Sequence, residues 1–357
     1  MSICVVQRAQ KEWGANARKT LSPMGMGASR GKRIIETQGS ARTGRIAQQC
    51  KILYIAGAGR NGSTLVGQCL AAHPGFVFPG ELTHVWRRGF IDNELCGCGS
   101  KFLDCDFWKR IAEHSSIREL DIHNQVSQIR DTACRFSRIP AFFAGRPANQ
   151  VNDRSYVEAY CKLIDRLGAV GDASWIVDAS KYPTDLAVLI EHQKMLPPIH
   201  VLHLVRDCNA TVYAWKKRKL RQEVHWQTQY MPRYSSAQTT IAWLAFNRLT
   251  KTLVTRYDIP YSLVRYEDFA KEPMKILKRL YDEIGISNPN ADDSILKSST
   301  DSSNAGRSHV LGGNPSKFGF DFASIRLDEE WRTQLSGLDR LLVKCIAGRL
   351  QREYGYE

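Results

Sequence analysis

The sequence predicts an α/β fold, a parallel β-sheet flanked by helices in one large domain over residues 51–357, and three observations carry that expectation. From residue 51 onward, apolar runs of strand length alternate with amphipathic stretches of helical length, the pattern of a parallel sheet covered on both faces. The first such run leads through a glycine turn directly into a helix. A chain of 357 residues, 43% hydrophobic and 24% charged, has enough apolar material for one large core of this kind.

The elements follow in order. KILYIAG (51–57) reads as a buried strand, with a helix over 64–72 behind the turn. Helices are expected near 106–113, 117–137 and 153–167. SWIVDAS (174–180) is the second strand, PTDLAVLIEHQKML a helix, and PIHVLHLVRD (198–207) the third strand. A helix over 209–221, a long one near 236–256, the strand YSLVRYED (261–268) and the helix PMKILKRLYDEIG complete the series. Residues 287–319, rich in Gly, Ser and Asn, form a long loop, and a loop of that length inside a domain is usually functional. A last amphipathic helix spans 328–352, and no internal repeat is present.

Residues 1–50 are different in kind. They hold nine Lys/Arg against two Glu, a net +7 that is half of the chain's +14, and no sustained apolar period, so they read as a basic, disordered extension. Such a tail is either a solvated leader or a contact for nucleic acid or an anionic membrane surface. It has charge without an apolar run behind it, and no stretch reaches the roughly 20 apolar residues of a membrane span. A cytoplasmic or membrane-peripheral location is the expectation. Of the ten cysteines, Cys96, Cys98 and Cys105 share the short stretch CGCGSKFLDCDFW. Zinc wants four ligands and no fourth is evident nearby, so a structural loop is favoured over a metal or a disulfide.

YIAGAGRNGSTL carries the chemistry. Gly57 and Gly62 have the spacing of a phosphate loop, whose following helix offers free N–H groups and a positive dipole end to an anion. The lysine of an NTPase loop is absent: Ser63 and Thr64 follow Gly62, and Arg60 sets a permanent cation at the tip instead. Ligands of open parallel sheets bind at the carboxyl ends of strands. The second strand delivers Asp178 and Lys181 there, and the third delivers Arg206, with Arg218 twelve residues on. The crevice is therefore expected to take a compound with several anionic groups.

These pieces resemble the sulfotransferases that use 3′-phosphoadenosine 5′-phosphosulfate (PAPS), the bacterial carbohydrate-type and tyrosylprotein-type members in particular. GAGRNGSTL is similar to the loop for the 5′-phosphosulfate and LHLVRDCNATVYAWKKRK to the 3′-phosphate segment. VRYEDFAKEPMKILKRLYDEIGI matches the strand-helix that follows, and HVLGGNPSKF the late cofactor-binding loop. The resemblance implies the sulfotransferase fold with its P-loop-like sheet, PAPS as co-substrate and no required metal. It further implies Glu81 as general base toward an acceptor hydroxyl, with Arg60, Lys181 and Ser299 stabilising the transferred group. Arg60, Asn61, Gly62, Ser63 and Thr64 would cradle the 5′-phosphate, and Arg206, Arg218, Asn314 and Lys317 the 3′-phosphate side. A carbohydrate, lipid or phenol acceptor would lie among residues 82–170 and 219–240, with Trp86, Trp226 and Tyr230 as candidate platforms.

Three positions depart from the pattern: Ala214 replaces a phosphate-binding serine that Thr211 could substitute, Asn61 replaces a hydroxyl residue, and His309 reads as a loop hydrogen-bonder. Two other readings stay open. Asp178 suits the metal-holding acid of a P-loop kinase, and the basic tail with WKKRKLRQEVHWQ suits a nucleic-acid-binding protein.

Overall fold

The computed structural model describes residues 50–113, 120–145, 150–286, 309–319 and 322–357. The basic extension and Ser299 lie outside the described residues. Five parallel strands, β1 (Lys51–Ala56), β2 (Phe76–Gly80), β3 (Trp175–Lys181), β4 (Ile199–Val205) and β5 (Tyr261–Arg265), form one sheet in the order β2-β3-β1-β4-β5. Successive side chains of a strand point to opposite faces. In β1, Ile52, Tyr54 and Ala56 therefore enter one core, and Leu53 and Ile55 the other. Both faces are covered, which is why the strand reads as an unbroken apolar run.

The first core packs against α5 (Gln150–Gly171), α6 (Pro183–Glu191) and the later half of α8 (Ser236–Arg256). The second packs against α1 (Ser63–Leu70), α9 (Tyr266–Lys271) and α10 (Pro273–Glu283). A third, smaller core joins α7 (Cys208–Lys216) and α8 to α12 (Gly337–Glu353). The remaining helices, α2 (Asp106–Ala112), α3 (Leu120–Ala133), α4 (Ile139–Phe143) and the single turn α11 (Trp331–Gln334), border these cores. Among the described residues, no helix is long and apolar enough to cross a membrane.

Three expectations are corrected. β2 is a strand that the sequence pattern did not signal; Pro79 lacks a ladder donor and is tolerated because β2 is an edge. The helix after β4 stops at Lys216, because Lys217 turns extended and Leu220 pairs antiparallel with Tyr230. Arg218 therefore stands outside the helix that was expected to carry it. The final helix begins at Gly337, with the separate α11 turn before it.

Buried His203 in β4 faces Tyr261 OH at 2.9 Å through Nδ1 and Asn247 Oδ1 at 2.8 Å through Nε2. Burial pulls its pKa down from an ordinary 6.5 to about 4. The folded state binds this proton less readily than the unfolded chain, so the stabilisation is complete above pH 6.5 and is lost as pH falls toward 4. Urea midpoints should decline across that window, and His203→Gln should flatten the decline.

Candidate active site

At the carboxyl end of β1 the chain turns within Gly57–Gly62 and enters α1. Gly62 has φ +92°, and a Cβ there would stand 2.3 Å from the Tyr266 ring, so the turn requires glycine. The buried Asn61 side chain pins the loop: Nδ2 donates to the Leu204 carbonyl at 2.9 Å, and Oδ1 accepts from the Ser63 amide at 3.2 Å. The Asn61 side chain is thus committed to the scaffold. Asn61→Ala should cost about 1–3 kcal/mol by leaving both partners unsatisfied, measurable in a urea melt. Gly62 at the N-cap offers no side chain, the Ser63 amide is taken by Asn61, and no acidic residue occupies the first turn, so among the described residues the dipole and the amides after Ser63 are open to an anion.

Arg60 sits at the loop tip in the left-handed region, φ +68°, with its guanidinium 4.6 Å from the Trp215 ring centroid and 2.6 Å from Met231 Sδ. Its buried Nε finds no hydrogen-bond partner among the described residues. Burial lowers its pKa, opposed chiefly by the charges of Glu81 and Glu223. Arg206, at the end of β4, donates from NH1 to the Arg60 carbonyl at 3.3 Å and lies over the Tyr266 ring. Its Nε is likewise buried without a hydrogen-bond partner among the described residues, and Asp328 is 3.6 Å from its NH2. Lys219, unnoticed in the sequence, joins this group: burial first, then the neighbouring charges of Arg60, Lys217 and Arg206, depresses its pKa. Crowded cations with orphaned donors fit a multiply charged anion.

Glu81 is set by irregularities in two strands. β3 carries one extra residue between the partners of Tyr54 and Ala56, and Lys181 ends it at φ +69°; β2 carries one extra residue before Gly80. Bulges re-aim side chains in this way. Buried Asp178 staples the two strand ends, accepting from the Leu82 amide at 3.2 Å, the Ser180 amide at 2.9 Å and Tyr160 OH at 2.9 Å. Burial lifts its pKa to about 6. A carboxylate so enclosed is structural, which weighs against the metal-holding role considered for Asp178.

The outcome is a close ion pair between Lys181 Nζ and Glu81 Oε1, with Nζ also donating to the Ala179 carbonyl at 2.9 Å. His84, one helical turn on and also missed in the sequence, lies 3.3 Å from the second Glu81 oxygen. Burial and four surrounding cations hold His84 well below the ordinary histidine pKa, so it is neutral there. The Glu81 amide donates to the Leu311 carbonyl at 3.0 Å. The late segment closes on the start of α1 as well: the Asn314 amide donates to Thr64 Oγ1 at 3.1 Å, and a Cβ at Gly313, φ +80°, would stand 2.7 Å from that oxygen.

The chain belongs to the sulfotransferase family. A family model described as "Sulfotransferase family" matches residues 53–290, about two thirds of the sequence, with β2 to β5 whole and most of β1. Among solved structures it is similar to the sulfotransferase domain from the curacin biosynthetic pathway, at 16% identity over 87% of this chain and 99% of that one, TM-score 0.49. The sulfotransferase domain from the Synechococcus PCC 7002 olefin synthase gives 18% identity, 83% and 94% coverage and a TM-score of 0.42. Sulfotransferase STF9 from Mycobacterium avium gives 12%, 88%, 78% and 0.45. No curated protein matches the sequence.

Within this sulfotransferase, Arg60, Ser63, Thr64, Glu81, Lys181, Arg206 and Asn314 gather around the carboxyl ends of the strands. Others do not sit as expected. Arg218 is exposed, 3.7 Å from the Tyr230 ring centroid. Lys317 is buried, and among the described residues its Nζ has no hydrogen-bond partner; burial lowers its pKa, opposed chiefly by the charges of Glu223 and Glu94. Thr211 Oγ1 donates to the Asp207 carbonyl at 2.9 Å within its own helix, so it does not replace the serine missing at Ala214. Trp86 is a core residue stacked on Phe90 and His123, whereas Trp226 and Tyr230 are exposed.

Proposed function

We propose that this sulfotransferase moves the sulfuryl group of PAPS to an acceptor hydroxyl, with Glu81 taking the hydroxyl proton. The observation that carries the reading is the gathering of the α1 start, Arg60 at the tip of the loop before it, and the Glu81–Lys181 pair. As the acceptor oxygen forms its bond to sulfur, the bond from sulfur to the 5′-phosphate oxygen breaks. Adenosine 3′,5′-bisphosphate leaves, and the acceptor proton passes to Glu81. Arg60 and Lys181 stabilise charge on the sulfuryl and leaving oxygens. Lys181, paired with Glu81 beforehand, turns toward the sulfuryl group and frees the carboxylate to act as base. Ser63 and Thr64 with the α1 amides serve the 5′-phosphate, and Arg206, supported by Lys219, serves the 3′-phosphate. Asn314 and Lys317 close the site through the late segment, Arg218 is a second cation for the 3′-phosphate, and Ser299 is a candidate for stabilising the transferred group. Fixed cations suffice for this group, which carries less charge than a transferred phosphoryl, so no metal takes part in the transfer.

The acceptor is a carbohydrate, lipid or phenol, for which exposed Trp226 and Tyr230 supply aromatic surface. Specific nucleic-acid binding is not expected, and the basic extension serves at most a peripheral membrane contact. The test is incubation of the full chain with radiolabelled PAPS and a panel of the three acceptor classes, without added Mg²⁺. Label on an acceptor is expected. Phosphorylation of the panel from ATP and Mg²⁺, with no sulfuryl transfer, would make it a kinase instead.

A further inference from the structure

The three clustered cysteines take no part in the reaction, and the fold brings them a fourth neighbour from far along the chain. Cys105 Sγ lies 3.1 Å from His309 Nδ1 across a separation of 204 residues, and Cys96 Sγ lies 3.9 Å from the same nitrogen. Cys98 Sγ is 3.7 Å from Cys105 Sγ, and one ligand atom from each of the four residues falls within 4.8 Å of the others. A tetrahedral zinc ion, with bonds of about 2.3 Å to sulfur and about 2.0 Å to nitrogen, holds its ligand atoms about 3.5–3.8 Å apart. A disulfide needs sulfurs at about 2.05 Å.

The surroundings fix these donors as a set. Gly99, at φ +88°, turns the chain so that its amide donates to the Cys96 carbonyl at 2.9 Å and the Cys96 amide donates to the Ser100 carbonyl at 2.8 Å. The His309 ring stacks on Phe107 at 4.8 Å and 8°, and its carbonyl accepts from Trp108 Nε1 at 3.1 Å. The Gly97 amide donates to the Val310 carbonyl at 3.0 Å. Cys96 and Cys105 are buried, while Cys98 and His309 are partly exposed, which leaves an entry path for an ion.

We propose that Cys96, Cys98, Cys105 and His309 form a structural zinc site that clips the 96–105 loop to the late segment carrying His309. Three thiolates and an imidazole select a soft or borderline ion over Mg²⁺ or Ca²⁺. Four protein ligands leave no open position for a reacting water, which makes the site structural. Loading releases the three thiol protons to solvent, and the metal-ligand set carries one net negative charge. Its consequence is positional: Leu311, two residues beyond His309, donates to the Pro79 carbonyl at 2.8 Å and accepts from the Glu81 amide. The clip therefore steadies the backbone that holds Glu81 without touching the reacting groups.

The experiment is metal analysis of the full chain, produced with zinc in the medium and purified without chelator. About one zinc per chain is expected, with an X-ray absorption edge showing three sulfur neighbours and one nitrogen. Cys98→Ser and His309→Ala should each lower zinc retention at least about tenfold, whereas His309→Cys, which restores a fourth ligand, and Cys345→Ser, an exposed control, should retain it. If the two losing variants do not fold, a thiol-specific mercurial added to the wild-type chain should still release about one zinc. Wild-type protein that takes up no zinc while its thiols are reduced, or His309→Ala with full zinc and an unchanged neighbour shell, would overturn the proposal.

Discussion

Glu81→Gln should lower the rate of sulfuryl transfer by about 10²–10⁴-fold, the range that loss of a general base commonly costs, while affinity for adenosine 3′,5′-bisphosphate stays within about threefold. The amide keeps the shape and can still accept from Lys181 Nζ, and the Glu81 backbone bond to Leu311 is independent of the side chain. What disappears is the basic site for the acceptor proton. Steady-state kinetics at saturating PAPS, paired with calorimetry of the product nucleotide, separate the alternatives. Turnover within about threefold of wild type removes Glu81 as base. Turnover and affinity that fall together would instead mean that Glu81 serves to hold Lys181 in place.

Arg206→Ala should weaken binding of adenosine 3′,5′-bisphosphate by about 10–150-fold, the equivalent of one charge-assisted interaction of about 1.5–3 kcal/mol. Adenosine 5′-monophosphate, which lacks the 3′-phosphate, should be nearly unaffected. The comparison is needed because Arg206 also supports the loop, through NH1 to the Arg60 carbonyl and its stack on Tyr266. Loss of loop support would weaken both nucleotides alike. A selective loss for the bisphosphate assigns the Arg206 guanidinium to the second phosphate.

The central strands were legible because β1, β3 and β4 are buried on both faces and their apolar runs have no other reading. β2 was not, since a five-residue strand ending in Pro-Gly carries the marks of a turn, and only its edge position excuses the proline. The end of α7 was misread because WKKRK contains no breaker; the pairing of Leu220 with Tyr230 overrides local helix preference. In the site, glycine spacing and strand-end cations pointed to Arg60, Lys181 and Arg206, and the structure brings Arg60 against Arg206 and near Glu81, the partner of Lys181. The reason for Asn61 is tertiary, a bond to the Leu204 carbonyl 143 positions away. His84 gave no signal beyond its spacing of three from Glu81, and His309 gave none at all toward cysteines about two hundred positions earlier. Contacts of that span are set by the sheet order, which composition and periodicity do not encode.

The central claim is that the crevice recognises a nucleotide by both a 5′- and a 3′-phosphate. Titration calorimetry of the full chain with adenosine 3′,5′-bisphosphate and, separately, with adenosine 5′-monophosphate tests it most directly. One bound bisphosphate per chain, at least about tenfold tighter than the monophosphate, is the predicted result. Absence of binding by the bisphosphate, or equal affinity for the two nucleotides, would contradict it.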